Sequence, residues 1–264
     1  MNVFNRSAMR IKNGFPYFEI PEMAKIGWIQ HGFLTRMGGV SLPPYHSLNL
    51  GSNRGDQGEH VSQNKNLIAK AFGFDPKRLI LLRQMQKDQI LLLKGPLNPI
   101  PSFLEYDAMI TDSPNTFLGI LTADCIPIFV VDQRRKVIAA VHAGRQGTAF
   151  CLTIKVLKKM EEEFGCSPND LLIALGPSIK GCCYEIDNKV FLPEWEPFST
   201  SREKGKWRVD LVQINIALMK KEGIGAEQIF RFDLCTSCHH DLFFSHRKER
   251  GKTGRQLSFI GITG

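Results

Sequence analysis

Cys125 and His142 are the residues of this chain whose types and spacing point most directly to chemistry. Each stands just outside an apolar, β-branched run, 126–131 and 137–141, and a polar Asp132-Gln133-Arg134-Arg135-Lys136 lies between the runs. That pattern predicts two strands joined by a short turn. With the turn centred between Gln133 and Arg134, Cys125 falls directly opposite His142, and such partners share a face with Cβ atoms roughly 4.5–5.5 Å apart. A single bulge would shift the register by one and separate them. A Cys–His pair so placed can ligate a metal such as zinc or copper, or form a thiolate–imidazole nucleophile. It can also be an inert core thiol beside a satisfied histidine. Asp124 before the Cys and Ala143-Gly144-Arg145-Gln146-Gly147 after the His surround the pair with polar, glycine-rich backbone, which argues against the inert reading.

Other segments must position that pair. A strand carrying Phe33 and Leu34 leads to Arg36 and Gly38-Gly39, where glycine lets the backbone approach a ligand and Arg suits an anion or a carboxylate. Ser47-Leu48-Asn49-Leu50-Gly51 follows as a polar-tipped turn. Val61, Leu67, Ile68, Ala71 and Phe72 fit one face of a helix over 59–72 that Gly73 stops. Strands are predicted at 79–82, 89–93, 171–175, 229–233 and 257–262, with 106–111 and 117–121 leading into the hairpin. A helix is predicted from Gly147 through Phe164, with Phe150, Ile154, Leu157 and Phe164 inward and Gly165 as its stop. Another runs from Leu211, capped by Asp210, to about Glu222. With no repeat, low-complexity stretch or dividing linker, the pattern predicts one α/β domain over 1–264.

Composition bounds the function. Hydrophobic residues at 43% and charged residues at 23% are ordinary for a soluble globular chain. No run of about 18 apolar residues occurs and the first residues lack an apolar leader core, so a cytoplasmic protein without a membrane segment is expected. Seven cysteines in such a chain are expected to be free thiols. The net charge of +8 is scattered, apart from Arg134-Arg135-Lys136 and 247–255, and no nucleic-acid motif accompanies it. It reads as solvated surface charge that attracts small anions such as phosphate, with no nucleic-acid partner.

Other motifs are set aside. Cys235-Thr236-Ser237-Cys238-His239 matches the c-type haem attachment pattern, which requires an exported chain. As a zinc site, Cys235 and Cys238 lack a second ligand pair at suitable spacing. The vicinal Cys182-Cys183 reads as packed or partly exposed thiols. Gly251-Lys252-Thr253 is similar to a phosphate-binding loop, but the glycine required five positions earlier is His246.

Taken in order, the short motifs resemble one family over about 32–262. They are Thr35-Arg36-Met37-Gly38-Gly39-Val40-Ser41, Ser47-Leu48-Asn49-Leu50-Gly51, Asp107-Ala108, Thr122-Ala123-Asp124-Cys125-Ile126-Pro127 and His142-Ala143-Gly144. Leu175-Gly176-Pro177, Cys182-Cys183-Tyr184-Glu185, Asp210-Leu211, Cys235-Thr236, Phe243-Phe244-Ser245-His246-Arg247 and Gly254-Arg255 continue them. The chain resembles the laccase-domain, or multicopper polyphenol oxidase, family, whose bacterial members include purine nucleoside phosphorylases. The resemblance implies a layered α/β sandwich of mixed sheets with a Cys/His/His zinc site at the base of a pocket. It also implies activity on adenosine and related purine nucleosides, by phosphorolysis or deamination, or phenol oxidation with copper.

Two of the implied ligands carry over, Cys125 and His142. The third does not: the family's Gln-Val-His-Gly is here Gln84-Met85-Gln86-Lys87, and the carboxamide of Gln86 is a poorer zinc partner than imidazole. The family's His-Ala-Gly-Trp-Arg-Gly is here His142-Ala143-Gly144-Arg145-Gln146-Gly147, which moves the cation by one position. The expected reading is a purine nucleoside phosphorylase, with adenosine deamination as an accompanying activity and zinc at Cys125 and His142. Arg36, Asn49, Asp124 and Arg145 are the residues expected to meet nucleoside and phosphate. The alternatives are a metal-free Cys–His hydrolase and a nucleoside-binding member without turnover. Copper-dependent phenol oxidation ranks below these, because a laccase needs several copper centres and the chain has seven His.

Overall fold

The runs 126–131 and 137–141 are apolar on both faces of their strands, and strands of that kind must be covered on both sides. The computed structural model, which describes residues 1–52, 55–97 and 104–263, places them at the centre of a mixed α/β sandwich. Ile126–Asp132 and Val137–Ala143 lie mid-sheet among seven strands. On one side follow Leu171–Leu175, Ile229–Phe232 and Asn2–Phe4; on the other, Ala108–Thr111 and Ile90–Leu93. The pairs next to the hairpin are antiparallel and the outer pairs are parallel.

A six-stranded sheet packs against one face, in the order Met9–Lys12, Phe15–Phe18, Ile29–Leu34, Gln256–Ile262, Thr116–Thr122, Leu79–Leu81. Between the sheets lie Phe18, Phe33, Phe129, Val131, Ile138, Ala140 and Phe232. Phe33 stacks on Phe129 at 4.7 Å between ring centroids. Full burial of each such ring contributes about 1.5–3 kcal/mol, and the stack about 0.5–1.5 kcal/mol beyond that. The opposite face of the seven-stranded sheet carries Ile126, Ile128, Val130, Val137, Ala139 and Val141 against helices Leu152–Phe164 and Leu211–Lys221. The outer face of the six-stranded sheet is covered by helix Gly58–Phe72 through Ile68, Ala71 and Phe72. A small sheet of Glu185–Asp187, Lys206–Val209 and Ser199–Arg202 lies apart from these two. No helix among the described residues is long and apolar enough to cross a membrane.

The local signals act where the sequence places them. Gly73 takes φ +79° and its N–H bonds Ala69 O, closing the first long helix. Asp210 accepts from the N–H groups of Val212 and Gln213 and starts the last. The single helix expected over 147–164 is instead two, Arg145–Ala149 and Leu152–Phe164, with Phe150 outward and Cys151 at φ +53° between them. Asn215 explains the break: buried between the two, it donates to Thr148 Oγ1 and accepts from Thr153 Oγ1. A continuous helix would aim those two hydroxyls about 140° apart.

Candidate active site

The hairpin's alternation puts Phe129, Val131, Ile138 and Ala140 on the inter-sheet face. Cys125 and His142 share that parity, so both emerge at the end of the inter-sheet layer. They are not directly opposite, as the sequence reading expected. The ladder pairs Val137 with Asp132 and His142 with Pro127, which centres the turn between Arg134 and Arg135. The Asp132 carboxylate accepts from the N–H groups of both arginines and fixes a four-residue loop in place of the shorter one. Cys125 accordingly stands beside Gly144, where an added Cβ would lie 2.8 Å from its sulfur. Because the partner of His142 has moved by two residues, thiol and imidazole keep a common face and lie diagonally, near enough for the sulfur to act on the imidazole.

Asp107 completes the arrangement. In the register that pairs Val141 with Ala108, it lies opposite His142, and His142 N–H bonds its carbonyl at 2.8 Å. Its Oδ1 is 2.9 Å from His142 Nδ1, which leaves Nε2 as the ring's other polar atom. The same carboxylate accepts from three consecutive amides, Met85 (3.1 Å), Gln86 (3.0 Å) and Lys87 (2.7 Å). Burial works to raise the Asp107 pKa, but the His142 bond and the amides outweigh it and hold it below its ordinary value. Burial likewise works against the charged form of His142. The charge on the Cys125 sulfur and the bond to Asp107 overcome it, and the pKa is raised to about 9. Buried Asp107 and His142 therefore lead to a half-buried Cys125, the order of a Cys–His–Asp triad.

The third metal position does not match this order. Gln86 lies exposed on the loop after Leu79–Leu81, at φ +57°, tied down through its backbone N–H. Two good donors and one exposed carboxamide fall short of the three protein ligands of a catalytic zinc. The residues present therefore do not fit the family's metal.

Three of the four residues expected at substrate make scaffold hydrogen bonds, with Nη2 of Arg36 left unpartnered. Arg36 is buried: Nε donates to His46 O (2.9 Å), Nη1 to His240 O and Glu249 Oε1 (3.0 Å each), and the guanidinium lies 4.4 Å from the Phe244 ring centroid. It clamps loops to one another. Gly39 beside it serves the same closeness, since a Cβ there would collide with Ser47 O and Leu48. Buried Asn49 spends its carboxamide on Asp56 and on the amides of Gly51 and Arg255. Asp124, at φ +92°, accepts from Thr236 Oγ1 (2.6 Å), Ser245 Oγ (2.7 Å) and Arg247 N (2.7 Å). It fixes the strained backbone that presents Cys125.

Arg145 is half-buried and opens the short helix after His142. Its charge reaches Tyr184, whose pKa burial and the Cys125 charge push up to about 12, while Arg145 and Arg247 oppose the rise. Arg247 lies 5.3 Å from the Tyr184 ring centroid. Tyr184 is thus flanked by Arg247 and within electrostatic reach of both Arg145 and Cys125, a setting for an anion. Asp107, Tyr184 and Arg247 were missing from the sequence-based site. Asp107 had a signal, since it directly precedes the strand Ala108–Thr111 on the parity of Met109, which faces the inter-sheet layer.

The set-aside cysteines also call for correction. Cys182, Cys183, Cys235 and Cys238 bring their sulfurs within 4.8 Å of one another, and among the described residues they are the group of His, Cys, Asp or Glu side chains placed to hold a metal ion. The second ligand pair that Cys235 and Cys238 appeared to lack is the vicinal pair 182–183.

Comparison with known proteins agrees with the architecture. Residues 30–263 match the family described as multi-copper polyphenol oxidoreductase laccase. Purine nucleoside phosphorylase YlmD of Bacillus subtilis is 32% identical over 243 residues, 88% of this chain and 87% of that protein. Purine nucleoside phosphorylase YfiH of Escherichia coli is 35% identical over 233 residues, 86% of this chain and 91% of that one. The crystal structure of YlmD from Geobacillus stearothermophilus superposes with a TM-score of 0.87 at 27% identity, covering 97% of this chain and 99% of that one. That of YfiH from Bacillus licheniformis also gives 0.87, at 31% identity over 96% and 98%.

Proposed function

Since the chain belongs to the multi-copper polyphenol oxidoreductase laccase family, we propose that it is a purine nucleoside phosphorylase acting on adenosine and phosphate. The observation that carries this reading is a buried His142 bonded to Asp107 beside Cys125, its pKa raised to about 9, with Tyr184, Arg145 and Arg247 within electrostatic reach of the site. Phosphorolysis breaks the C1′–N9 bond and forms a C1′–O bond to phosphate, giving adenine and ribose 1-phosphate. Arg145 and Arg247 hold the phosphate dianion against C1′ and offset its charge. Electron density leaving with the purine is taken up by the proton that His142 holds at Nε2, and Asp107 keeps the imidazole oriented through Nδ1. Tyr184 contributes a neutral hydroxyl near Cys125.

The test is chromatography of adenosine incubated with and without phosphate. Phosphate-dependent adenine and ribose 1-phosphate are expected, abolished in folded Cys125→Ala and His142→Ala. Arg145→Ala and Arg247→Ala should each raise the KM for phosphate on the order of tenfold, from the loss of a charged pair of about 1.5–3 kcal/mol. Full turnover in either Cys125→Ala or His142→Ala would overturn the reading, and inosine as the product would replace phosphorolysis with deamination.

The Asp107–His142–Cys125 chain also favours a second reading, a metal-free site with Cys125 as nucleophile. Alkylation that labels Cys125 ahead of the other thiols, with nucleoside consumed equally without phosphate, would support it. Uniform slow labelling would count against it.

A further inference from the structure

The four-thiol cluster has no part in the proposed reaction. Two of its members come from the turn after Leu171–Leu175, where Cys183 N and Tyr184 N both bond Lys180 O and set Cys182 and Cys183 side by side. The other two come from the turn in which His239 N bonds Cys235 O, which places Cys235 and Cys238 three residues apart on one side. Backbone contacts already join the segments: Ser178 bridges Cys235, and Thr236 N bonds Ser178 O. The sulfur separations are 3.7 Å for Cys182–Cys183, 3.7 Å for Cys182–Cys238 and 3.4 Å for Cys183–Cys238.

Those distances decide between chemistries. A disulfide needs sulfurs about 2.05 Å apart and joins only two of them. Four thiolates around one tetrahedral zinc, with Zn–S about 2.3 Å, have sulfur–sulfur edges of about 3.8 Å. The cluster matches the second geometry. Lys180 supplies an independent observation. Its side chain is buried and its Nζ has no hydrogen-bond partner. A tetrathiolate zinc carries a net charge of about −2, and a buried ammonium beside it offsets that charge.

We propose that Cys182, Cys183, Cys235 and Cys238 bind one zinc ion in a closed tetrathiolate site, distinct from Cys125 and His142. On binding, the four thiols give their protons to solvent and no electron is transferred. The site would staple the turn at 180–184 to the turn at 235–239. Asp124 is gripped by Ile179 N, just before the first turn, on its carbonyl and by Thr236 Oγ1 of the second on its carboxylate, and Asp124 in turn sets Cys125. The proposal is independent of the reaction assigned above, because its readout is metal content and spectrum.

The experiment loads Cys125→Ala/His142→Ala protein with zinc, removes excess by desalting, and counts metal per chain. One equivalent is expected, and replacement by cobalt should give the intense visible bands of tetrahedral cobalt–thiolate. Cys182→Ser/Cys238→Ser protein should lose that equivalent and those bands while keeping its far-ultraviolet circular dichroism. Should either double variant fail to fold, cobalt titration of the unmodified protein against the single variant Cys238→Ser gives the same comparison. A metal-free Cys125→Ala/His142→Ala protein would overturn the proposal. So would thiolate bands that survive in Cys182→Ser/Cys238→Ser, or a disulfide among these cysteines in protein purified without reductant.

Discussion

Replacing Asp107 by Asn removes one charge from the centre of the site and changes little in shape. The carboxylate accepts four hydrogen bonds, from Met85, Gln86, Lys87 and His142, and an amide has one oxygen to offer. With that oxygen at the Oδ1 position, Gln86 and His142 keep their partner while the amide NH₂ meets the N–H groups of Met85 and Lys87. Flipped, it opposes the Gln86 N–H and donates to His142 Nδ1, which forces a neutral imidazole. Each buried donor left facing a donor costs about 1–3 kcal/mol, and these amides are part-buried, so Asp107→Asn should lose on the order of 1–3 kcal/mol of stability. The rise of His142 to about 9 from an ordinary 6.5 corresponds to roughly 3 kcal/mol in favour of the imidazolium. Without Asp107 that preference shrinks and His142 deprotonates at lower pH. The assay is kcat/KM for adenosine phosphorolysis from about pH 6 to about pH 10. The unmodified protein should lose activity above about 9 as His142 gives up its proton. The variant should be slower by on the order of 10²–10⁴ and lose activity earlier on that limb. Unchanged kcat/KM with an unchanged upper limb would refute the assignment of the proton to His142.

Other substitutions test the rest of the site. Gly144→Ala adds a methyl 2.8 Å from the Cys125 sulfur at a backbone conformation alanine accepts, φ −83°. Overpacking of about 1–3 kcal/mol and a loss of turnover of at least about tenfold are expected by calorimetry and kinetics, and normal turnover would show that the sulfur position is not critical. Gln86→His supplies the missing imidazole at a left-handed position that histidine tolerates. In a Cys182→Ser/Cys238→Ser background it should add one zinc equivalent by metal analysis, and no added zinc would mean that the loop does not reach Cys125. His31 is buried with Nε2 accepting from Ile20 N, and burial lowers its pKa to about 4. The unfolded chain takes up that proton first, so its share of stability is present above about 6.5 and lost as pH falls toward about 4, in total roughly 3 kcal/mol. Urea unfolding of His31→Gln, which can still accept from Ile20 N, should show a flatter pH slope in that window, and an equal slope would assign the loss elsewhere.

The sequence revealed what depends on short-range pattern and hid what depends on distant partners. Gly73, Asp210 and the two apolar runs each carry their structural consequence in their own neighbourhood. The register of the hairpin was missed because the Asp132 side chain caps two amides and lengthens the loop. The site survived that error, since strand parity decides which face a side chain takes. The break at Cys151 depends on Asn215 from another helix, which no local periodicity reports. Arg36 and Asn49 look like ligand-binding residues beside glycine turns, yet their partners are backbone and carboxylate groups as far away as Glu249 and Arg255. The four thiols were invisible as a group because their two pairs lie more than fifty positions apart and one pair has no spacer.

The way the 85–87 loop is fastened has a consequence for how such a site drifts. Three main-chain amides grip Asp107, so the loop keeps its course with either imidazole or carboxamide at position 86. That residue is free of structural duty. A lineage can trade imidazole for carboxamide there in one step, and back again, without meeting a folding barrier. The choice between a metal-assisted pocket and one that relies on its own acids and bases then rests on a residue the architecture does not notice.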